Sequence, residues 1–251
     1  MSAEDLIKQL KKDEKTIFKG WDFSYIESRL VQEEPPWDYF NKAKKLLKNS
    51  KSVLDMATGG GELFSKFAPF NIKAVAIEGY PPNVPIAKNL LEPLGVKVLE
   101  ANEVEKLPFQ NNEFDLILNR HGGINKKSVK EIYRVQSKHG LFLTQQIDGD
   151  NFRDLINKFG KNPKWEQNTL ENVKNQMIKQ GFKIIEFDEW TGKIIFKDVG
   201  ALVYLLKAVP WLVDDFSVDK YLSKLEELHK KIKIQEELSY TAKRFYILAQ
   251  K

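Results

Sequence analysis

The chain of 251 residues contains no cysteine. That excludes disulfides, thiolate-ligated zinc and any cysteine nucleophile. Histidine is scarce too: His121, His139 and His229 lie far apart and suggest no metal cluster. No apolar run is long enough to span a bilayer. Met1–Lys12 is charged and lacks the apolar core of a secretory signal. These absences predict a soluble cytoplasmic protein with no membrane span. A strong excess of one charge is missing as well. Lys and Arg number 40 against 35 Asp and Glu, a net charge of +5. Such a mild balance permits acidic partners but does not mark a nucleic-acid surface. The one small cluster, Lys42, Lys44, Lys45 and Lys48, falls at helical spacing and predicts the wet face of a helix.

Hydrophobic residues make up 42% of the chain and charged residues 30%, which suits one large α/β domain with a helical annex. Helices are expected over residues 3–15, 25–32 and 37–48. From residue 52 the texture changes to strands alternating with helices. Strands are expected at 52–56, 73–78, 96–101, 114–119, 141–147 and 182–190, with 192–196 as a short continuation. Helices are expected at 62–67, 84–94, 127–136, 170–180, 198–208 and 218–234. A final strand over 243–250 is expected beside 182–190. The fold class is therefore α/β: a Rossmann-like, seven-stranded, mostly parallel sheet with helices on both faces. Residues 1–50 form an N-terminal helical segment or lid. Residues 51–251 form the ligand-binding domain, with 198–238 as a helical insertion before the last strand.

The most informative stretch is Val53-Leu54-Asp55-Met56-Ala57-Thr58-Gly59-Gly60-Gly61-Glu62. An apolar run ends in an acid and breaks into consecutive glycines. A second apolar run, Ala74–Ile77, ends in Glu78, which follows Gly59 by 19 residues. Two neighbouring parallel strands of this kind hold a nucleotide-like ligand at their carboxyl ends, the second acid accepting from a ribose diol. The glycines allow close backbone approach, and Thr58 supplies a backbone N–H. Ala57 is expected in an αR or β conformation because its methyl group restricts φ. The dinucleotide pattern Gly-x-Gly-x-x-Gly fails, since Phe64 stands at its third glycine.

Further ordered motifs extend the pattern: Asn102-Glu103-Val104-Glu105-Lys106-Leu107-Pro108-Phe109, Glu113-Phe114-Asp115 before an apolar run, and Glu131-Ile132-Tyr133-Arg134-Val135 before Gly140-Leu141. Together they resemble the class I S-adenosylmethionine (SAM) dependent methyltransferases, nearest to the ubiquinone/menaquinone-type small-molecule branch. The resemblance covers about residues 50–147. It implies SAM as cofactor, with Asp55, Ala57, Thr58, Gly59 and Gly61 around its amino-acid end. Ala57 stands where the family has its first glycine. The resemblance further implies Glu78 and Gly79 at the ribose and Glu103 and Val104 at the adenine, with Asn102 as the alternative contact. Asn119 and Arg120 emerge at a strand end beside the expected methyl group.

His121 follows them and is the candidate catalytic residue. It is either a general base for a phenol, enol or amine, or a hydrogen-bonding group. Arg120 either anchors an anionic acceptor or pairs with Glu103 or Glu78. Trp37, Tyr39 and Phe40 precede the first strand of the sheet, as a lid or as core packing. Tyr204 and Trp211 either wall an acceptor pocket or pack the insertion. The expected activity is methyl transfer to a small-molecule acceptor, with no metal. RNA or protein methylation is the enzymatic alternative. The Asn/Asp-Pro-Pro-aromatic motif of base-amino methyltransferases is absent, since residues 119–122 read Asn-Arg-His-Gly. A non-catalytic SAM-binding module and a nicotinamide dehydrogenase are the remaining alternatives. The acceptor's identity and the oligomeric state are not specified by the sequence.

Overall fold

The computed structural model describes residues 3–18, 22–102, 106–234 and 237–251. In chain order the first elements are α1 (Ala3–Lys15), α2 (Ser24–Glu27), β1 (Leu30–Gln32), α3 (Tyr39–Leu47), β2 (Ser52–Met56), α4 (Glu62–Ser65), β3 (Lys73–Glu78) and α5 (Val84–Leu91). There follow β4 (Lys97–Glu100), β5 (Phe114–Arg120), α6 (Lys126–Val135), β6 (Gln136–Ile147), α7 (Arg153–Lys158) and α8 (Leu170–Gln180). The last are β7 (Lys183–Phe196), α9 (Val199–Ala208), α10 (Val218–Lys233) and β8 (Leu238–Gln250).

The chain divides into two compact units. The larger holds Pro36–Asp148, Gln167–Trp190 and Arg244–Lys251. In it β2, β3 and β5 are buried along nearly their whole length, as strands covered on both faces must be. The strand order is β7-β8-β6-β5-β2-β3-β4. The pairs from β4 through to β6 are parallel, and β8 runs antiparallel to β6. One face carries Leu54, Ile77, Ile117 and Phe142 under Ile132 of α6 and Met177 of α8. The other carries Val53, Ala76, Leu116 and Leu143 under Ala43 of α3 and Leu91 of α5. Register then sets the site: Asp55 lies opposite Ala76 and Leu118, and Arg120 opposite Gln145, so the polar strand ends fall on one edge. Asp115, at the other end of β5, accepts from the Lys51 N–H at 3.0 Å and from the Ser137 hydroxyl at 3.1 Å, a tether rather than a chemical group.

The smaller unit holds Met1–Pro35, Gly149–Glu166 and Thr191–Lys243. Here α9, apolar all round, is buried over most of its length with α1 and α10 against it. An eighth strand stands here where seven were expected. Leu30–Gln32, predicted as the end of a helix, is β1 and pairs antiparallel with Ile194–Phe196 of β7. The local helical pattern lost to tertiary pairing: the run Ile194-Ile195-Phe196 extends β7 and presents an edge that β1 fills. Likewise 182–190 and 192–196 form one strand through Gly192, and α7 was not anticipated. No helix of the described residues is long and apolar enough to cross a membrane, and no cluster of metal-ligating side chains occurs among them.

Candidate active site

Four elements of the larger unit end together, and their backbones build the site before any side chain is considered. After β2 the chain turns sharply: the Thr58 N–H donates to the Ile77 carbonyl at 3.0 Å and the Gly61 N–H to the Thr58 carbonyl at 3.1 Å. Gly59 and Gly61 lie at φ 64° and 88°, and a Cβ on Gly61 would stand 2.7 Å from Leu91. Ala57 also lies at positive φ, 55°, which corrects the expected αR or β conformation. The turn that lets Thr58 reach β3 demands the left-handed region, and a non-glycine residue there carries about 1–2 kcal/mol of strain. A Cβ on Gly122 would stand 2.6 Å from the Ala57 methyl group, so the segment after β5 presses directly on this loop.

Glu78 is 6% exposed and closes the loop from the far side. Its carboxylate accepts from the Gly59 N–H at 2.6 Å and from the Tyr80 N–H at 2.8 Å. A carboxylate offers about four acceptor positions, and these two bonds fix its orientation at the end of β3. Gly79 follows half-buried, and Asn102 stands exposed after β4. Glu103 and Val104 lie outside the described residues. The nearby Leu107-Pro108-Phe109 segment is structural: Arg134 donates to the Leu107 and Phe109 carbonyls at 2.9 and 2.7 Å.

Asp55 is the electrostatic centre. Burial pushes its carboxyl up to about 7, the Glu78 charge acts in the same direction, and the neighbouring Thr58 hydroxyl opposes them. No cation among the described residues pairs with it. Two buried hydroxyls beside it make no hydrogen bond of good geometry: Thr58 Oγ1, which still lies near enough to Asp55 to favour its charged form, and Tyr39 Oη, which lies near the Asn119 backbone. Tyr39, on α3, is 6% exposed. Its pKa is raised well above 10 by burial and then by Asp55. An acid lacking a cation, flanked by two unsatisfied hydroxyls, fits the ammonium-and-carboxylate end of an amino-acid-bearing ligand. Tyr39 was anticipated only as one of a group of aromatics. The signal for its hydroxyl is tertiary, since nothing in its local sequence points at Asp55.

The other strand ends behave differently. Asn119 is fully buried and its side chain is committed to a network. Its Oδ1 accepts from Gln146 Nε2 at 2.5 Å and from the Thr144 hydroxyl at 3.2 Å, and its Nδ2 reaches the Met56 carbonyl at 3.4 Å. Arg120 is exposed, and no carboxylate among the described residues, Glu78 included, pairs with it. His121 sits at φ 63°, and its N–H donates to the Gln145 carbonyl at 2.8 Å. Its Nε2 lies 3.1 Å from Gln145 Nε2. Gln145 Oε1 in turn accepts from the Trp37 indole N–H at 2.7 Å. Trp37 packs on Tyr246 with ring centroids 4.9 Å apart. Tyr204 and Trp211 belong to the smaller unit. Tyr204 packs on Tyr25 at 4.9 Å, and Trp211 meets Trp165 edge-on at 5.9 Å.

A parallel sheet with an acid-ended first strand, a glycine turn and a buried acid ending the next strand defines a nucleoside-binding Rossmann-like protein. Residues 47–209 match the family described as Methyltransferase domain. That is more than half of the chain, and the chain belongs to this family. Among solved structures it is similar to a methyltransferase candidate from Bacillus halodurans, at 20% identity and a TM-score of 0.57 over 84% of this chain and 98% of the other. It is similar to the YcgJ protein from Bacillus subtilis at 17% identity and a TM-score of 0.58, over 85% and 97%. The [4+2]-cyclase SpnF shares the fold at 14% identity and a TM-score of 0.51, over 98% and 93%. No protein of curated function matches the sequence. The chain is a SAM-dependent methyltransferase, and SAM is its cofactor.

Proposed function

We propose that this enzyme methylates a small-molecule acceptor, as the ubiquinone/menaquinone-type small-molecule branch of its family does. When bound, SAM supplies an activated methyl group on a sulfonium, so the protein's tasks are to bind, orient and exclude water. Asp55, Thr58 and Tyr39 hold the amino-acid end, and the Ala57–Gly61 backbone lies along it. Glu78 takes the ribose diol beside Gly79. Asn102, Glu103 and Val104 lie at the adenine. Arg120 and His121 stand on the acceptor side, with Trp37 above Gln145. The observation that carries this reading is the unsatisfied polar cluster at Asp55 across the loop from Glu78. A small acceptor is favoured because the chain lacks the cysteine and the Asn/Asp-Pro-Pro-aromatic motif used on nucleobases.

The test is calorimetric titration with SAM and with S-adenosylhomocysteine. One saturable site for each, weakened at least tenfold by Glu78→Gln, is the expected result. Folded protein that binds neither overturns the site. Transfer of labelled methyl from SAM is then followed against small phenols, enols and amines, total RNA and protein extract. Labelling confined to RNA or protein overturns the acceptor class.

A further inference from the structure

The indole N–H of Trp37 is a donor and nothing else. Its bond to Gln145 therefore fixes which end of the amide is oxygen and turns the NH₂ group toward His121. An amide NH₂ cannot accept, so His121 Nε2 must offer its lone pair. The proton of the neutral ring is thereby placed on Nδ1, which has no partner among the described residues and lies on an exposed residue. Gln145 itself is 5% exposed and held in β6, so this orientation is built into the sheet. We propose that Trp37 and Gln145 are positioning residues that keep His121 a neutral imidazole presenting Nδ1–H to the methyl acceptor as a hydrogen-bond donor, not a general base. The proposal rests on the reading of this strand end as the acceptor side. It names the acceptor as one whose reacting atom needs no proton taken by this histidine, such as an oxygen already ionised or an unprotonated amine.

The surroundings agree. Protonating Nε2 would set an N–H against an NH₂ group. Although His121 as a whole residue keeps exposed surface, desolvation of its ring, then the charges of Arg120 on β5 and Arg244 on β8, hold its pKa well below 6.5. Among the described residues, those two arginines are the charged groups whose fields act on the ring. The strained positive φ of His121 fits the same picture, since its N–H is spent on the Gln145 carbonyl.

Nitrogen-15 NMR of the full chain labelled at histidine tests this without cofactor or acceptor, with His121→Asn assigning the signals. The expected wild-type spectrum shows Nδ1 protonated and Nε2 bare, unchanged from pH 8 down to 5.5. In Gln145→Glu, a carboxylate oxygen replaces the NH₂ group. Nε2 becomes protonated there and the ring titrates above pH 6.5. Trp37→Phe frees the amide to turn over and yields a tautomer mixture, which serves if Gln145→Glu fails to fold. A wild-type ring with Nε2–H, or one titrating near 6.5, overturns the proposal, as does a tautomer unchanged in both variants. Failure of the SAM reading shows separately, as absent S-adenosylhomocysteine binding with the NMR pattern intact.

Discussion

Asp13 of the smaller unit is buried and Asp55 of the larger is half-buried, and the protein treats the two acids in opposite ways. Asp13 is 0% exposed and saturated. It accepts from Arg29 at 2.8 and 3.1 Å, from the Tyr25 hydroxyl at 2.7 Å and from Gln9 at 3.2 Å. Burial alone would raise its pKa, but these donors outweigh burial and hold it below the usual carboxylate range. Arg29 then turns its remaining N–H groups to Asp198 at 2.9 and 2.5 Å, and Asp198 caps α9. A Cβ on Gly200 would collide with this cluster, so the helix comes in close. Asp55, by contrast, has no cation, unsatisfied hydroxyl neighbours and a raised pKa. The difference separates scaffold from site. A fully paired buried acid ties elements together, whereas an acid left short of partners awaits a ligand.

The largest effect is expected from breaking the saturated acid. Arg29→Ala leaves Asp13 buried without its cation and should cost about 3–5 kcal/mol of stability. Chemical denaturation should show this as a lower midpoint. Because the Asp13 pKa is depressed in the fold, its contribution is present above the unfolded value and fades as pH falls through the folded one. The Arg29→Ala deficit should therefore shrink in acid.

Asp55→Asn should move stability the other way. The folded acid titrates at about 7 against an unfolded value near 4, so wild-type stability falls as pH rises from about 4 to 7. The asparagine removes that loss. A gain of about 1–2 kcal/mol at pH 8, absent at pH 4, is expected in denaturation curves. Affinity for S-adenosylhomocysteine should fall tenfold or more, the value of a charged hydrogen bond of about 1.5–3 kcal/mol. In the wild type the same affinity should rise from pH 6 to 8 as Asp55 ionises, and a flat profile would separate Asp55 from the ligand.

Tyr39→Phe sharpens the comparison further. Removing an unsatisfied buried hydroxyl should leave stability unchanged or raise it by up to about 1 kcal/mol. Affinity for the cofactor product should drop severalfold by calorimetry if that hydroxyl meets the ligand. The smallest effect belongs to Ala57→Gly. Relief of left-handed strain, offset by the entropy of an extra glycine, should raise stability by about 0.5–1 kcal/mol. Thermal unfolding would register it as a rise of a few degrees at most.

Much of this was legible in the chain. The runs 52–56 and 73–78 are strands over the expected residues, because uninterrupted apolar stretches ending in acids have little alternative in an α/β fold. The helices at 3–15 and 170–180 likewise follow from helical spacing, the latter with Thr169 and Gly181 as caps. Leu30–Gln32 was misread because a three-residue edge strand has no periodicity of its own and exists only where β7 offers it a partner. The φ of Ala57 was misread because side-chain size argued against a conformation that the loop geometry imposes.

The sequence by itself determined the sheet's central strands, the glycine turn and the two acids that end β2 and β3. Residue type and spacing act locally there, and parallel strands bring their carboxyl ends together without further instruction. Only the tertiary structure decided what those ends are worth chemically. It set Tyr39 and Thr58 beside an unpaired Asp55, spent Asn119 on an internal network and aimed the Gln145 amide at His121. Hydrogen-bond partners, burial and the resulting pKa values depend on which elements the fold packs together, and no local pattern encodes them.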